Sequence, residues 1–137
     1  MDIEGQCHCA NLSFSFHSPN ELVFHACSCS FVRSHGAKTV IDPQGRAVIR
    51  AKRIADVRRY RFGLALSDYL ICRECGVYLG AVMELEGKNY ATLNVRASNL
   101  HDRPATSVSY ATETAEQRIA RRRLAWTPVE LFLEPAR

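Results

Sequence analysis

The sequence predicts a mainly β domain that closes with one short helix. Three observations carry this expectation: apolar and polar residues alternate in several short runs, Pro, Gly and Asn punctuate those runs, and one helix-capping signature stands near the C-terminal end.

The first run is Leu12, Phe14 and Phe16 interleaved with Ser13, Ser15 and His17, the period of two of a half-buried strand. Ser18-Pro19-Asn20 then supplies a turn, and Leu22, Phe24 and Ala26 resume the alternation. Residues 38–41 and 47–50 flank Asp42-Pro43-Gln44-Gly45, in which Pro and Gly occupy favourable turn positions. Residues 57–62, 69–72, 77–83 and 90–95 read as further strands, with Glu86-Gly87-Lys88-Asn89 separating the last two. Residues 99–109 have weak periodicity and are expected to form a long loop. Thr114-Ala115-Glu116-Gln117 has the form of a capping box, and Arg121, Arg122 and Arg123 suit the negative end of the helix dipole. Residues 126–133 return as a final strand.

The chain of 137 residues suits one domain, 1–137, and its 47% apolar and 23% charged composition is that of a globular protein. A net charge of +4 favours a small anionic ligand. Nucleic-acid binding is not expected from it, because phosphate-backbone binding needs clustered Lys and Arg. The acidic start lacks an apolar signal region, and no apolar run approaches the roughly 18–20 residues of a membrane span. The expected setting is therefore cytoplasmic, without a membrane partner.

In a reducing compartment the six cysteines are metal ligands or reactive thiols rather than disulfides. Cys7-His8-Cys9 in extended backbone aims both sulfurs to one side. Cys72-Arg73-Glu74-Cys75-Gly76 is a tight turn in which both sulfurs converge, with Gly tolerating the backbone this requires. Together these pairs predict a four-thiolate zinc site at Cys7, Cys9, Cys72 and Cys75, with Zn–S bonds of about 2.3 Å. The competing readings of Cys72 and Cys75 are a redox dithiol or inert buried thiols. The redox reading wants a helix start, whereas the residues after Cys75 read as strand. Cys27-Ser28-Cys29 is a third pair, extended in the same way, which either leaves metal positions open for other ligands or is simply buried.

With three pairs in this order, the sequence resembles the glutathione-dependent formaldehyde-activating enzyme family, also called the centromere protein V-like family. The matching stretches are Gly5-Gln6-Cys7-His8-Cys9, Cys27-Ser28-Cys29-Ser30 with Arg33 behind it, and Ile71-Cys72-Arg73-Glu74-Cys75-Gly76. Residues 90–96 resemble the strand after the last pair. The likeness covers about residues 4–100; the helix and strand of 112–134 carry no signature of it. The resemblance implies an Mss4-like β fold around a structural zinc. It also implies a second, catalytic zinc and a carbon–sulfur lyase acting on S-hydroxymethylglutathione. Cys7, Cys9, Cys72 and Cys75 map to the structural ligands, and Cys27 and Cys29 to two catalytic ones.

The third catalytic ligand falls at Val32, which cannot bind a metal, while Arg33 stays in register. The second metal is then absent, or weak, or completed by a histidine. Loss or weakening is the favoured outcome, and His35, beyond a Gly36 turn, is a better replacement than His25. Arg33 is the first candidate for gripping glutathione's carboxylates, with Arg58, Arg59 and Arg61 behind it. His8, Ser28 and Ser30 flank the sulfurs and could tune them. The alternative class is a non-enzymatic zinc module that binds a thiol metabolite, a protein partner or chromatin. Arg118, Arg121, Arg122 and Arg123 could then contact phosphate, although a dipole-compatible helix end accounts for them more simply.

Overall fold

A computed structural model describes residues 1–133, and the end of the predicted 112–134 unit, at Glu134, lies outside the described residues. Eleven strands join in one hydrogen-bonded network. In chain order they are β1 (Asp2–Gln6), β2 (Leu12–His17), β3 (Phe24–Cys27), β4 (Thr39–Val40), β5 (Arg46–Ala51), β6 (Val57–Tyr60), β7 (Asp68–Cys72), β8 (Tyr78–Leu85), β9 (Lys88–Asn94), β10 (Ala105–Val108) and β11 (Thr127–Phe132). Helix α1 (Ser30–Ser34) follows β3, and helix α2 (Ala115–Ala125) precedes β11.

The pairing path runs β1-β2-β5-β11-β9-β4-β3-β10, with β8, β7 and β6 branching in turn from β9. Strand β11 is the hinge of this arrangement. Its end pairs parallel with β5 through residues 129–132, while Thr127 and Pro128 pair antiparallel with β9. The alternation in β2 works as the sequence predicts: Leu12, Phe14 and Phe16 are buried, and the serines between them are half-exposed. These side chains share one core with Ile3, Ile49, Leu70, Leu79, Leu93 and Val129, so both arms of the network close over common apolar contacts. Strand β8, paired on both edges, is buried from Tyr78 to Met83, which explains its continuous apolar run.

The two turns beside this core are linked. Buried Asp42 accepts hydrogen bonds from Ser18 Oγ, from Asn20 Nδ2 at 3.0 Å and from the Gln44 N–H at 2.9 Å. Its own N–H donates to Thr127 Oγ1 at 2.8 Å, fixing the start of β11. These donors hold the Asp42 carboxyl below its ordinary value, although burial opposes them.

Two sequence expectations are corrected. Residues 99–109 are not wholly loop, because β10 pairs parallel with β3 in the register Ala105↔Phe24 to Val108↔Cys27. Ala, Thr and Ser give this four-residue strand no apolar alternation, and its partner is remote in sequence, so no local signal announces it. The Cys27-Ser28-Cys29 stretch does not continue extended either. Strand β3 stops at Cys27, and Cys29 becomes the N-cap of the five-residue α1.

Helix α2 follows its capping box: the Gln117 N–H donates to Thr114 Oγ1 at 3.2 Å, and the Thr114 N–H donates to Gln117 Oε1 at 2.9 Å. Thr114→Ala is expected to lower stability by about 1 kcal/mol in urea unfolding. An unchanged midpoint would mean that packing alone holds the helix start.

Candidate metal centre and adjoining cavity

Two turns bring four sulfurs together. Cys7 follows β1 and opens a turn closed by the Ala10 N–H donating to the Cys7 carbonyl at 3.0 Å, with Ala10 at φ +66°. The pair is therefore set in a turn, not in the extended backbone expected from its spacing. A strand would hold alternate Cα atoms about 7 Å apart, whereas the turn brings Cys7 Sγ within 3.7 Å of Cys9 Sγ. Cys72 ends β7 and begins the predicted knuckle, closed by the Gly76 N–H donating to the Cys72 carbonyl at 2.8 Å. Gly76 sits at φ +80°, where a side chain would be strained.

The sulfurs of Cys7, Cys9, Cys72 and Cys75 all lie within 4.8 Å of one another, and Cys9 Sγ is 3.5 Å from Cys72 Sγ. A tetrahedron with Zn–S bonds of about 2.3 Å has edges of about 3.8 Å. The four thiols are free, and these spacings suit a shared cation rather than a disulfide, whose sulfurs stand about 2 Å apart. Cys7 and Cys72 are buried, Cys75 is half-buried and Cys9 is exposed. The cluster can hold a metal ion, and its donor set fits zinc.

Burial pushes Cys7 up to about 12 and raises Cys72 also. Cys75 goes the other way: burial opposes ionisation, but the N–H groups of Cys9 and Val77 and the neighbouring thiols bring it down to about 6. Cys75 therefore favours the folded state above the ordinary thiol value of 9.0, and that contribution disappears as pH falls through about 6. Protons compete with metal for the same sulfur. Metal transfer to a chromogenic chelator should accordingly accelerate between pH 7 and about 5. A flat profile there would show that Cys75 is not a ligand.

The third pair stands elsewhere, in the wall of a cavity of about 190 Å³. The Val32 N–H donates to Cys29 Sγ at 3.5 Å, and the Cys29 N–H donates to Cys27 Sγ, also at 3.5 Å. Cys29 is lowered to about 6, chiefly by a hydrogen bond from Cys27, with help from the Val32 and Phe31 N–H groups and the charge of Arg118. Cys27 is correspondingly raised, because the proton stays on it and burial disfavours its thiolate. The arrangement favours a thiolate at Cys29 with the proton held by Cys27.

Cys27, Cys29 and Val32 all line the cavity, so the turn into α1 gathers the positions that a three-ligand motif would use. Val32 is buried and packs with Tyr78 and Ala37. Among the described residues, no third thiol, imidazole or carboxylate joins Cys27 and Cys29 in a metal-ligating group. The residues present do not fit a resident catalytic zinc. His25 lines the cavity from β3. His35 caps the end of α1, where its Nδ1–H donates to the Phe31 carbonyl at 2.8 Å and its ring lies 4.4 Å from that of Phe31.

Arg33 is exposed on α1 and does not line the cavity. Arg59 and Arg61 pair with Asp68 on the surface, and Arg58 lies over the Tyr60 ring. The arginines that reach the cavity are instead Arg118, Arg121 and Arg122 of α2. Arg118 and Arg121 both pair with Glu113, while Arg122 is buried over Trp126 and donates to Ser67 Oγ at 2.5 Å. Sequence reasoning read these residues as a dipole-compatible helix end. The signal that could have found them is spacing: positions 118, 121 and 122 recur at three and four residues, one face of a helix.

No protein-family model matches the chain, and no curated protein matches it either. The fold is similar to the crystal structure of a Rhodobacter sphaeroides protein solved as a Northeast Structural Genomics target. That likeness has a TM-score of 0.56 at 21% identity and covers 77% of this chain and 99% of the other. It is a likeness of fold alone.

Proposed function

We propose that this protein is a zinc-stapled member of the glutathione-dependent formaldehyde-activating family, with the Mss4-like fold, whose cavity makes or breaks carbon–sulfur bonds in thiol–aldehyde adducts. The observation that carries the reading is the convergence of four sulfurs from two distant turns within 4.8 Å, with the Cys27–Cys29 pair left over beside a basic cavity. Zinc at the four-cysteine site has a structural role, because every protein ligand position is filled.

The chemistry is routed through this chain's own residues. The Cys29 thiolate takes the proton of an incoming thiol such as glutathione. The sulfur so released adds to the aldehyde carbon, and the resulting oxyanion recovers the proton from Cys29, giving the S-hydroxyalkyl adduct. The reverse sequence cleaves it. Arg118, Arg121 and Arg122 supply positive charge for the carboxylates of the thiol.

The test is metal analysis run beside an assay of S-hydroxymethylglutathione formation from glutathione and formaldehyde. One equivalent of zinc with a rate above the uncatalysed background supports the reading. Zinc near one equivalent without rate enhancement supports a second reading, a non-catalytic zinc module that binds a thiol metabolite, which buried Val32 in the third ligand position favours. Protein without zinc at all defeats both.

A further inference from the structure

Two buried polar atoms of cavity-lining residues, Tyr78 Oη and Arg122 Nε, have no hydrogen-bond partner among the described residues. Tyr78 is 1% exposed and Arg122 7% exposed, so water outside the protein does not satisfy them. Orphaned buried donors are rare, and each is costly to leave unmade. Here both belong to residues that line the same cavity. The rest of the lining has a matching bias. Arg118 and Arg121 bring further positive charge, and among the described residues no aspartate or glutamate lines the space. Glu113 pairs with both of those arginines, while Arg122 has no carboxylate partner among the described residues.

We propose that the cavity is a carboxylate-binding site, in which Arg122 Nε–H and Tyr78 Oη–H donate to one acid group and the adjoining carbon chain faces Cys27 and Cys29. A carboxylate is the ligand that matches, because it accepts from two donors at once and cancels the buried positive charge. Size sets the class further. At about 190 Å³ the space is little larger than a cavity of about 150 Å³ that holds benzene. A short carboxylic acid fits inside; of a tripeptide such as glutathione, only one arm enters. The inference deepens the proposed function by naming what the cavity grips, and it rests on that reading only in taking Cys29 as the thiolate that the bound acid adjoins.

The test uses zinc-replete protein and two alkylating probes of similar size, iodoacetate and iodoacetamide, with modification of Cys27 and Cys29 followed by peptide mass. In either reaction the thiolate sulfur bonds to the CH2 carbon, the C–I bond breaks and iodide leaves. Ordinary thiolates react faster with the neutral amide. At this site iodoacetate is expected to react with saturation and about tenfold faster than iodoacetamide, the scale of a charge-assisted hydrogen-bond pair. Tyr78→Phe and Arg122→Gln should each lower the ratio of the iodoacetate rate to the iodoacetamide rate about tenfold. Tyr78→Phe removes only the orphaned hydroxyl, so it keeps the test open should Arg122→Gln not fold. Protection by propionate identifies a free short acid as the occupant, and protection by S-methylglutathione at lower concentration identifies an arm of the tripeptide. A linear concentration dependence with iodoacetamide the faster probe, or a Tyr78→Phe ratio equal to wild type, overturns the site. Iodoacetate preference without lyase activity would sink the catalytic reading and leave this one standing; lyase activity without the preference would do the reverse.

Discussion

Cys9→Ser is expected to abolish zinc binding and to lower stability by about 5 kcal/mol or more, a fall of roughly 15–20 °C in melting temperature for a chain of this size. The position is chosen because Cys9 is exposed. Exchanging an exposed sulfur for oxygen normally changes stability by no more than about 0.5 kcal/mol. A large loss can therefore arise only through a bond that the sulfur makes. Structural zinc supplies on the order of 10 kcal/mol in small metal-dependent domains. This chain also has an apolar core running from Ile3 to Leu133, so part of the fold should survive without metal. Removing zinc from the wild type with a strong chelator should reproduce the same drop and leave Cys9→Ser unaffected. If chelation does not move the wild-type melting temperature, the four sulfurs are not a structural metal site.

Cys29→Ala should reduce adduct formation by at least about a hundredfold while changing neither zinc content nor fold, the range expected for loss of a proton-transfer group. Cys29 is half-buried, and its N-cap contact with the Val32 N–H at 3.5 Å serves a helix of only five residues, so little stability depends on it. Cys27→Ala should act more weakly, by about tenfold, because it removes the hydrogen bond that favours the Cys29 thiolate but not the thiolate itself. Cys29→Ser separates capping from chemistry, since a serine hydroxyl can cap α1 but does not ionise near neutral pH. Turnover in Cys29→Ala at the wild-type rate would remove the cysteine from the mechanism. Equal loss in Cys27→Ala and Cys29→Ala would instead point to the pair acting as one unit.

Much of the fold was legible because it depends on neighbours in the chain. The period of two in residues 12–17, the Ser18 and Asp42 turns and the Thr114 capping box are local devices, and each forms as its residues predict. Strand β10 was not legible. Four residues without apolar alternation become a strand only because β3 offers them a parallel edge. The same limit applies to Cys7-His8-Cys9, whose spacing predicts extended backbone but which forms a turn where Cys9 Sγ meets Cys72 Sγ.

From the sequence alone came the mainly β class, the C-terminal helix and the choice of Cys7, Cys9, Cys72 and Cys75 as a ligand set. Those depend on periodicity and on the chemistry of residue types, which survive without coordinates. Only the tertiary structure decided which arginines face the Cys27–Cys29 cavity. It placed Arg33 on the surface and brought Arg118, Arg121 and Arg122 inward. The reason is physical: a helix face is turned inward by the packing of the whole sheet, and no pattern within residues 115–125 records which neighbour it will meet.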